Sequence, residues 1–240
     1  MTTPETAMRR GSSEPHQRAQ EFVSQVLEVC AGSKRAQADL RSGLGLPYDR
    51  CHRMHRHLMR LVPEGNRHPE GRQPYYVVAA LIAARSRRAR EEDAERNPAA
   101  SPAPEDDQRP GAGGALQSWW QRPNLGASLA ESVNQQLVAA GSAESELHLL
   151  ARIGSHSLHS RLPALIGQIT GRGVVLDWAV LLDDLAGWDY NQDRIATRWL
   201  ESYFRVRDFA ERAADRRHSD APAAGGHTND SNDATSEEKQ

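Results

Sequence analysis

Apolar residues recur at steps of three and four through Phe22, Val23, Val26, Leu27 and Cys30, making a single stripe that ends at Gly32. That spacing predicts a helix. A short helix over Lys34–Ser42 is stopped by Gly43 and Gly45, and a third over about Asp49–Val62 carries Met54, Leu58, Met59 and Val62. The run Tyr75–Ala84 could pass for a buried strand, but its length, its alanines and the leading Pro74 favour a helix beginning at that proline.

Further along, Leu125, Leu129, Val133 and Leu137 sit four apart, and Leu158, Leu162, Leu165, Ile166 and Ile169 form another stripe. Asp177 is placed to cap a helix burying Trp178, Leu181, Leu182 and Leu185, with Gly187 as its stop. A last helix, from about Gln192 to Ala213, turns Ile195, Trp199, Tyr203 and Phe204 inward. No alternating strand pattern of useful length occurs. The predicted fold is therefore all-α, two small helical bundles joined by a flexible linker.

Polar, aperiodic stretches set the expected boundaries: residues 1–17, the Pro/Gly-rich and acidic residues 91–118, and the tail 214–240. None can bury enough apolar surface to offset its ordering entropy. They leave helical blocks at 18–90 and 119–213. Mean hydropathy is −0.71, with 38% hydrophobic residues. The longest apolar run has ten residues where about 20 are needed to span a bilayer. With two cysteines and no signal-like start, the expected compartment is the cytoplasm, with no membrane partner.

The formal charge of −2 conceals an asymmetry, because residues 18–90 hold 14 basic against 6 acidic side chains. A local surplus of eight is a footprint that phosphate backbones favour. A solvated surface in an arginine-rich chain is the alternative, since 28 of the 30 basic residues are Arg.

Candidate chemistry is sparse. Cys51 and His55 fall on one helical face, but two ligands do not close a zinc site, and Arg50, Arg53, Arg56 and Arg60 would repel a cation. Asp183 and Asp184 are adjacent and so point about 100° apart on a helix, a poor geometry for paired catalytic carboxylates. Neither a phosphate loop after a strand nor a nucleophile elbow is present. No cofactor, metal or catalytic residue is assigned. Trp178, Trp188 and Trp199 read as core anchors, whereas Trp119 and Trp120 cannot both face one core, leaving one for a partner or a base.

The stretch Leu176-Asp177-Trp178-Ala179-Val180-Leu181-Leu182-Asp183-Asp184-Leu185-Ala186-Gly187-Trp188, followed by Arg198-Trp199 and Tyr203-Phe204, resembles the C-terminal region of the CasB family. Ala38–Gly45, Tyr75–Leu81 and Asn124–Ala130 agree in the expected order. The resemblance implies the non-catalytic small subunit of the type I-E CRISPR surveillance complex, Cascade, which dimerises within it. Its implied partners are the other Cascade subunits, CRISPR RNA and single-stranded DNA, with the displaced non-target strand of the R-loop held in place. Three positions that are usually basic in the family carry Ser42, Ala127 and Ser145-Glu146. The expected nucleic-acid contacts therefore concentrate on the first block: Lys34, Arg35, Arg41, Arg53, Arg56, Arg85, Arg87 and Arg88.

A free-standing helical DNA-binding transcriptional regulator, reading a groove with the helix over Asp49–Val62, is the competing expectation. Competition binding separates the two. The CasB reading expects single strands to be bound with little sequence preference; a strong preference for one duplex site selects the regulator.

Overall fold

The computed structural model of the chain describes residues 4–63, 68–97, 121–170 and 173–219. Among these residues every regular element is helical, as the hydrophobic spacing predicts. The first block holds α1 (Pro4–Gly32), α2 (Lys34–Arg41), a 3-10 turn (Tyr48–Arg50), α3 (His55–Leu58), α4 (Pro69–Ala84) and α5 (Arg87–Arg96). The second holds α6 (Leu125–Asn134), α7 (Ala140–Leu150), α8 (Ser155–Ile169) and α9 (Trp178–Ser219), the last broken by non-helical backbone at Asn191. No described helix is long and apolar enough to cross a membrane.

Local chemistry explains most of the boundaries. The Ser33 hydroxyl accepts the Ala36 amide at 3.2 Å to start α2, and Asn124 accepts the Ala127 amide at 3.1 Å to start α6. Asp177 caps α9 by accepting the amides of Ala179 and Val180, both at 3.1 Å. The same carboxylate takes a two-pronged hydrogen bond from Arg122 at 2.6 and 2.8 Å, tying the entry of α6 to the start of α9.

Several expected boundaries move. α1 reaches back to Pro4, into the stretch expected to be unstructured, because extending a nucleated helix fixes only one residue per new hydrogen bond. α4 begins at Pro69, five residues before Pro74, again with proline at the helix start. The helix expected over Asp49–Val62 is absent. Cys51, at φ −85° and ψ 42°, breaks it into the 3-10 turn and the single turn of α3. Gly187 does not stop its helix, which runs on to the break at Asn191 and resumes to Ser219.

The first part of the expected linker is also structured. α5 carries Asp93 and Arg90 into the interior, and the Asn97 side chain donates to the Gln20 carbonyl at 3.2 Å. Asp93 lies 2.8 Å from Arg85 Nε and accepts the Trp178 indole N–H at 2.9 Å, so an acidic residue of this stretch joins the two blocks. Residues 98–118, and with them Trp119 and Trp120, lie outside the described residues.

One continuous core runs through both blocks, with α1 and α4 packed against α9. Trp178, Trp188 and Trp199 are all core residues, as expected. Phe204 is not: it is 46% exposed while Tyr203 turns inward. The tightest crossing is α6 on α9. A Cβ on Gly126 would stand 1.9 Å from the Trp199 carbonyl oxygen, so the two backbones meet there and only glycine fits.

Two measurements test this packing. Gly126→Ala is expected to cost about 3 kcal/mol in denaturant unfolding, whereas Gly167→Ala in α8, with open space beyond its Cβ, should be neutral or stabilising. Equal effects would show that the α6–α9 crossing is not close. His159 is buried with no hydrogen-bond partner on either ring nitrogen among the described residues. Burial pushes its pKa down from 6.5 to about 4, against the pull of Asp189. The unfolded chain therefore binds a proton at His159 between these values and the folded chain does not. Stability should fall by up to about 3 kcal/mol as pH drops from 6.5 to 4, and His159→Leu should lose that dependence. An unchanged pH profile in the variant would contradict the assignment.

Candidate nucleic-acid interface

The expected basic residues sit on three neighbouring elements. α2 buries Ala36, Asp39 and Leu40 and leaves Lys34, Arg35 and Arg41 exposed. α3 and the turn before it are anchored by Met54 and Leu58, leaving Arg53 and Arg56 outside. A single contact sets the register between the two: Asp39 meets His57 Nε2 at 3.1 Å. That hydrogen bond, helped by the charges of Arg56 and Arg35, holds the Asp39 carboxyl below its ordinary range. Arg35 of α2 and Arg56 of α3 thus both act on one carboxylate, which brings cations of the two elements near each other.

The surface continues onto α5. Lys34 and Arg87 line one cavity of about 450 Å³, walled by α1 and floored by Leu27, Cys30 and Ala94. Arg87 and Arg88 are exposed and each pairs with the glutamate four residues on, at 2.8 and 3.1 Å. Such exposed pairs are weak and exchange readily for a phosphate. Arg88 faces away from this cavity, into a groove between the blocks that also contains Leu44, Pro163 and Thr170.

Arg85 departs from the expectation. Its side chain is only 10% exposed, paired with Asp93 and stacked 5.8 Å over the Trp178 ring. It joins the blocks and leaves the outer surface to the other seven residues. Charge alone could not reveal this, since Arg85 and Arg87 differ only in which side of the helix junction they fall.

The residues weighed for chemistry are held in structural bonds. Cys51 is buried with its sulfur 3.3 Å from the Pro47 carbonyl, and burial pushes its thiol up to about 11. His55 meets the Tyr76 hydroxyl at 2.8 Å, so it and Cys51 do not converge. No group of three or more metal-ligating side chains occurs among the described residues. Asp184 is buried, accepts the Trp199 indole N–H at 2.7 Å and forms a close ion pair with Arg198. Asp183 lies 3.3 Å from His16. These carboxylates hold helices together.

At the three positions where the family pattern is basic, Ser42 donates to the Asp39 carbonyl at 2.7 Å, the Ala127 amide is bound by Asn124, and Glu146 is bound by Arg161. A cationic feature of the second block escapes a charge count taken block by block. Beyond Asn191, α9 exposes Arg194, Arg205, Arg212 and Arg216. Their spacings of 11, 7 and 4 place them on one side of the helix, a signal present in the sequence.

Comparisons with known proteins agree with this architecture. The profile of the family described as CRISPR-associated protein Cse2 matches residues 36–204. Two solved chains titled as a CRISPR RNA-guided surveillance complex, one of them in a pre-nicking state, are 30% and 31% identical, both with a TM-score of 0.66. The alignments cover 83% of this chain and 99% and 98% of those chains. CasB from Thermus thermophilus is similar in fold, with 21% identity, a TM-score of 0.52, and coverage of 78% of this chain and 97% of that one. No curated protein matches the sequence. With most of its length spanned by that profile and its helices superimposing on nearly the whole of the surveillance-complex chains, the chain belongs to the Cse2 family, the CasB family of the sequence resemblance.

Proposed function

We propose that this chain is the non-catalytic small subunit of a type I-E CRISPR RNA-guided surveillance complex. In this reading it contacts CRISPR RNA and target DNA, and it stabilises the displaced non-target strand of the R-loop. Its partners are the other Cascade subunits and a second copy of itself, in the cytoplasm. The observation that carries the reading is that Lys34, Arg35, Arg41, Arg53 and Arg56 are all exposed on α2, α3 and the turn before α3, elements joined by the Asp39–His57 contact.

The physics favours a strand whose sequence is read elsewhere. Exposed arginines can neutralise phosphates without reading sequence, and in an RNA-guided complex base pairing supplies the sequence. Similarity to chains of surveillance complexes supports the same assembly. Groove reading by a regulator would require a helix over Asp49–Val62. α3 has four residues, about 6 Å of helix, too short to lie along a major groove.

The test is R-loop lifetime in the reconstituted complex. Arg35→Ala with Arg41→Ala is expected to shorten the lifetime without shifting the unfolding midpoint, because both side chains are exposed. The log–log salt slope should also shrink in magnitude by about 1.4, at roughly 0.7 for each phosphate left without its arginine. Wild-type lifetimes and salt dependence in the double variant would show that this surface does not face the strand.

A further inference from the structure

The arginine row on α9 continues past residue 204, where the match to the family profile ends, and α9 itself runs to Ser219. At about 100° per residue, Arg194, Arg198, Arg205, Arg212 and Arg216 fall within roughly 40° of one another around the helix axis. They span 22 residues, about 33 Å of helix. The acidic residues Glu201, Asp208 and Asp215 lie along one flank of the row, and Phe209 lies on the other.

Phe209 adds an aromatic surface to this charged face. It is 68% exposed, makes no ring contact among the described residues, and follows Arg205 by four positions. The exposed ring lies beside the row of cations, so a stacking surface and phosphate ligands are offered side by side. The proximal end of the row borders a groove of about 560 Å³ lined by Arg194, Arg198 and Arg205 together with Asp193 and Glu201, with the hydroxyls of Thr197 and Ser202 between them. Arg198 is largely inside, bound to Asp184, so the outward cations are Arg194, Arg205, Arg212 and Arg216. Arg212 meets Asp208 at 2.8 Å in an exposed pair that a phosphate can displace.

We propose that this face of α9 is a second track for a single nucleic-acid strand, with Arg194, Arg205, Arg212 and Arg216 holding phosphates and Phe209 stacking on a base. Phosphates aligned by cations, with a base lying on an aromatic ring, are how strands are bound without regard to sequence. A single strand meets both features at once, with phosphates on the arginines and a base on the ring. The inference rests on the reading of the chain as a strand-gripping protein and adds a surface on the other block, on the part of α9 after Asn191.

The experiment is fluorescence-anisotropy binding of the full chain to an oligo-dT strand over a salt series. Phe209→Ala is expected to weaken binding about tenfold and Phe209→Trp to retain it. Arg212→Gln with Arg216→Gln should reduce the magnitude of the salt slope by about 1.4. All three changes are on the surface, and circular dichroism checks the fold. Arg35→Ala with Arg41→Ala is measured in parallel. If only that variant weakens binding, the α9 track is wrong and the functional reading stands; if no variant weakens binding, both fail. Wild-type strand binding by the α9 variants, together with loss of co-purification with the other Cascade subunits, would make this face a protein-docking surface and overturn the proposal.

Discussion

The buried carboxylate of Asp184 organises the fold. It is 2% exposed, and it sits in the half of α9 before Asn191 while its two partners, Arg198 and Trp199, sit in the half after it. A carboxylate taken out of water must be fully compensated, and losing one partner of such a set costs about 3–5 kcal/mol. The break at Asn191 is therefore held at one geometry. With the angle of α9 fixed, Trp188 and Trp199 come to lie 4.9 Å apart, and the Trp199 backbone forms the seat for Gly126. Asn124 completes the crossing by donating to the Ser202 hydroxyl at 2.9 Å while its own carbonyl caps α6. The second block is assembled around this one charge.

The first block is coupled to it by a second buried acid. Asp93 accepts the Trp178 indole N–H and pairs with Arg85, and burial holds its carboxyl above the ordinary range against the pull of Arg85. α4, whose residues from Pro74 to Ala83 are all buried, passes between α1, α2 and α9 and carries α2 on its outer side. Gln37 fixes that seat by donating to the Ala83 carbonyl at 3.0 Å. The cationic residues of α2 and α3 are thus presented by a packed scaffold. The arginines are exposed side chains on packed helices, which suits binding a strand by its backbone.

Hydrophobic spacing recovers the helices that bury apolar stripes, since Phe22 to Cys30, Leu125 to Val133 and Leu158 to Ile169 all obey the 3.6-residue period. It also places the Asp177 cap, because a capping residue acts within its own turn. It fails where polar groups are buried. Most of α5 falls in the stretch read as an unstructured linker, since its interior residues are Arg90 and Asp93, and the groups that bind Asp93, namely Arg85 and Trp178, are supplied from outside the helix. Propensity puts the break in α9 at Gly187, the weaker helix former, but tertiary bonds from Asp184 to Arg198 and Trp199 fix it at Asn191. Cys51 similarly ends a helix that propensity would continue. For the site, the exposed cations of α2 and α3 are evident from charge density, whereas the inward turn of Arg85 depends on Asp93 in the next helix and on the distant Trp178. The arginine row on α9 is present in the spacing and is hidden when charge is summed over the whole block.

If the outward surface of α2 and α3 lies against the displaced strand, the two must crosslink when brought together in the assembled complex. Photocrosslinking from a base-modified non-target strand, with mass-spectrometric mapping of the attached peptides, measures this directly. Crosslinks are expected on peptides carrying Lys34 to Arg41 and Arg53 to Arg60. Crosslinks confined to the exposed side of α7, with none on these peptides, would contradict the assignment.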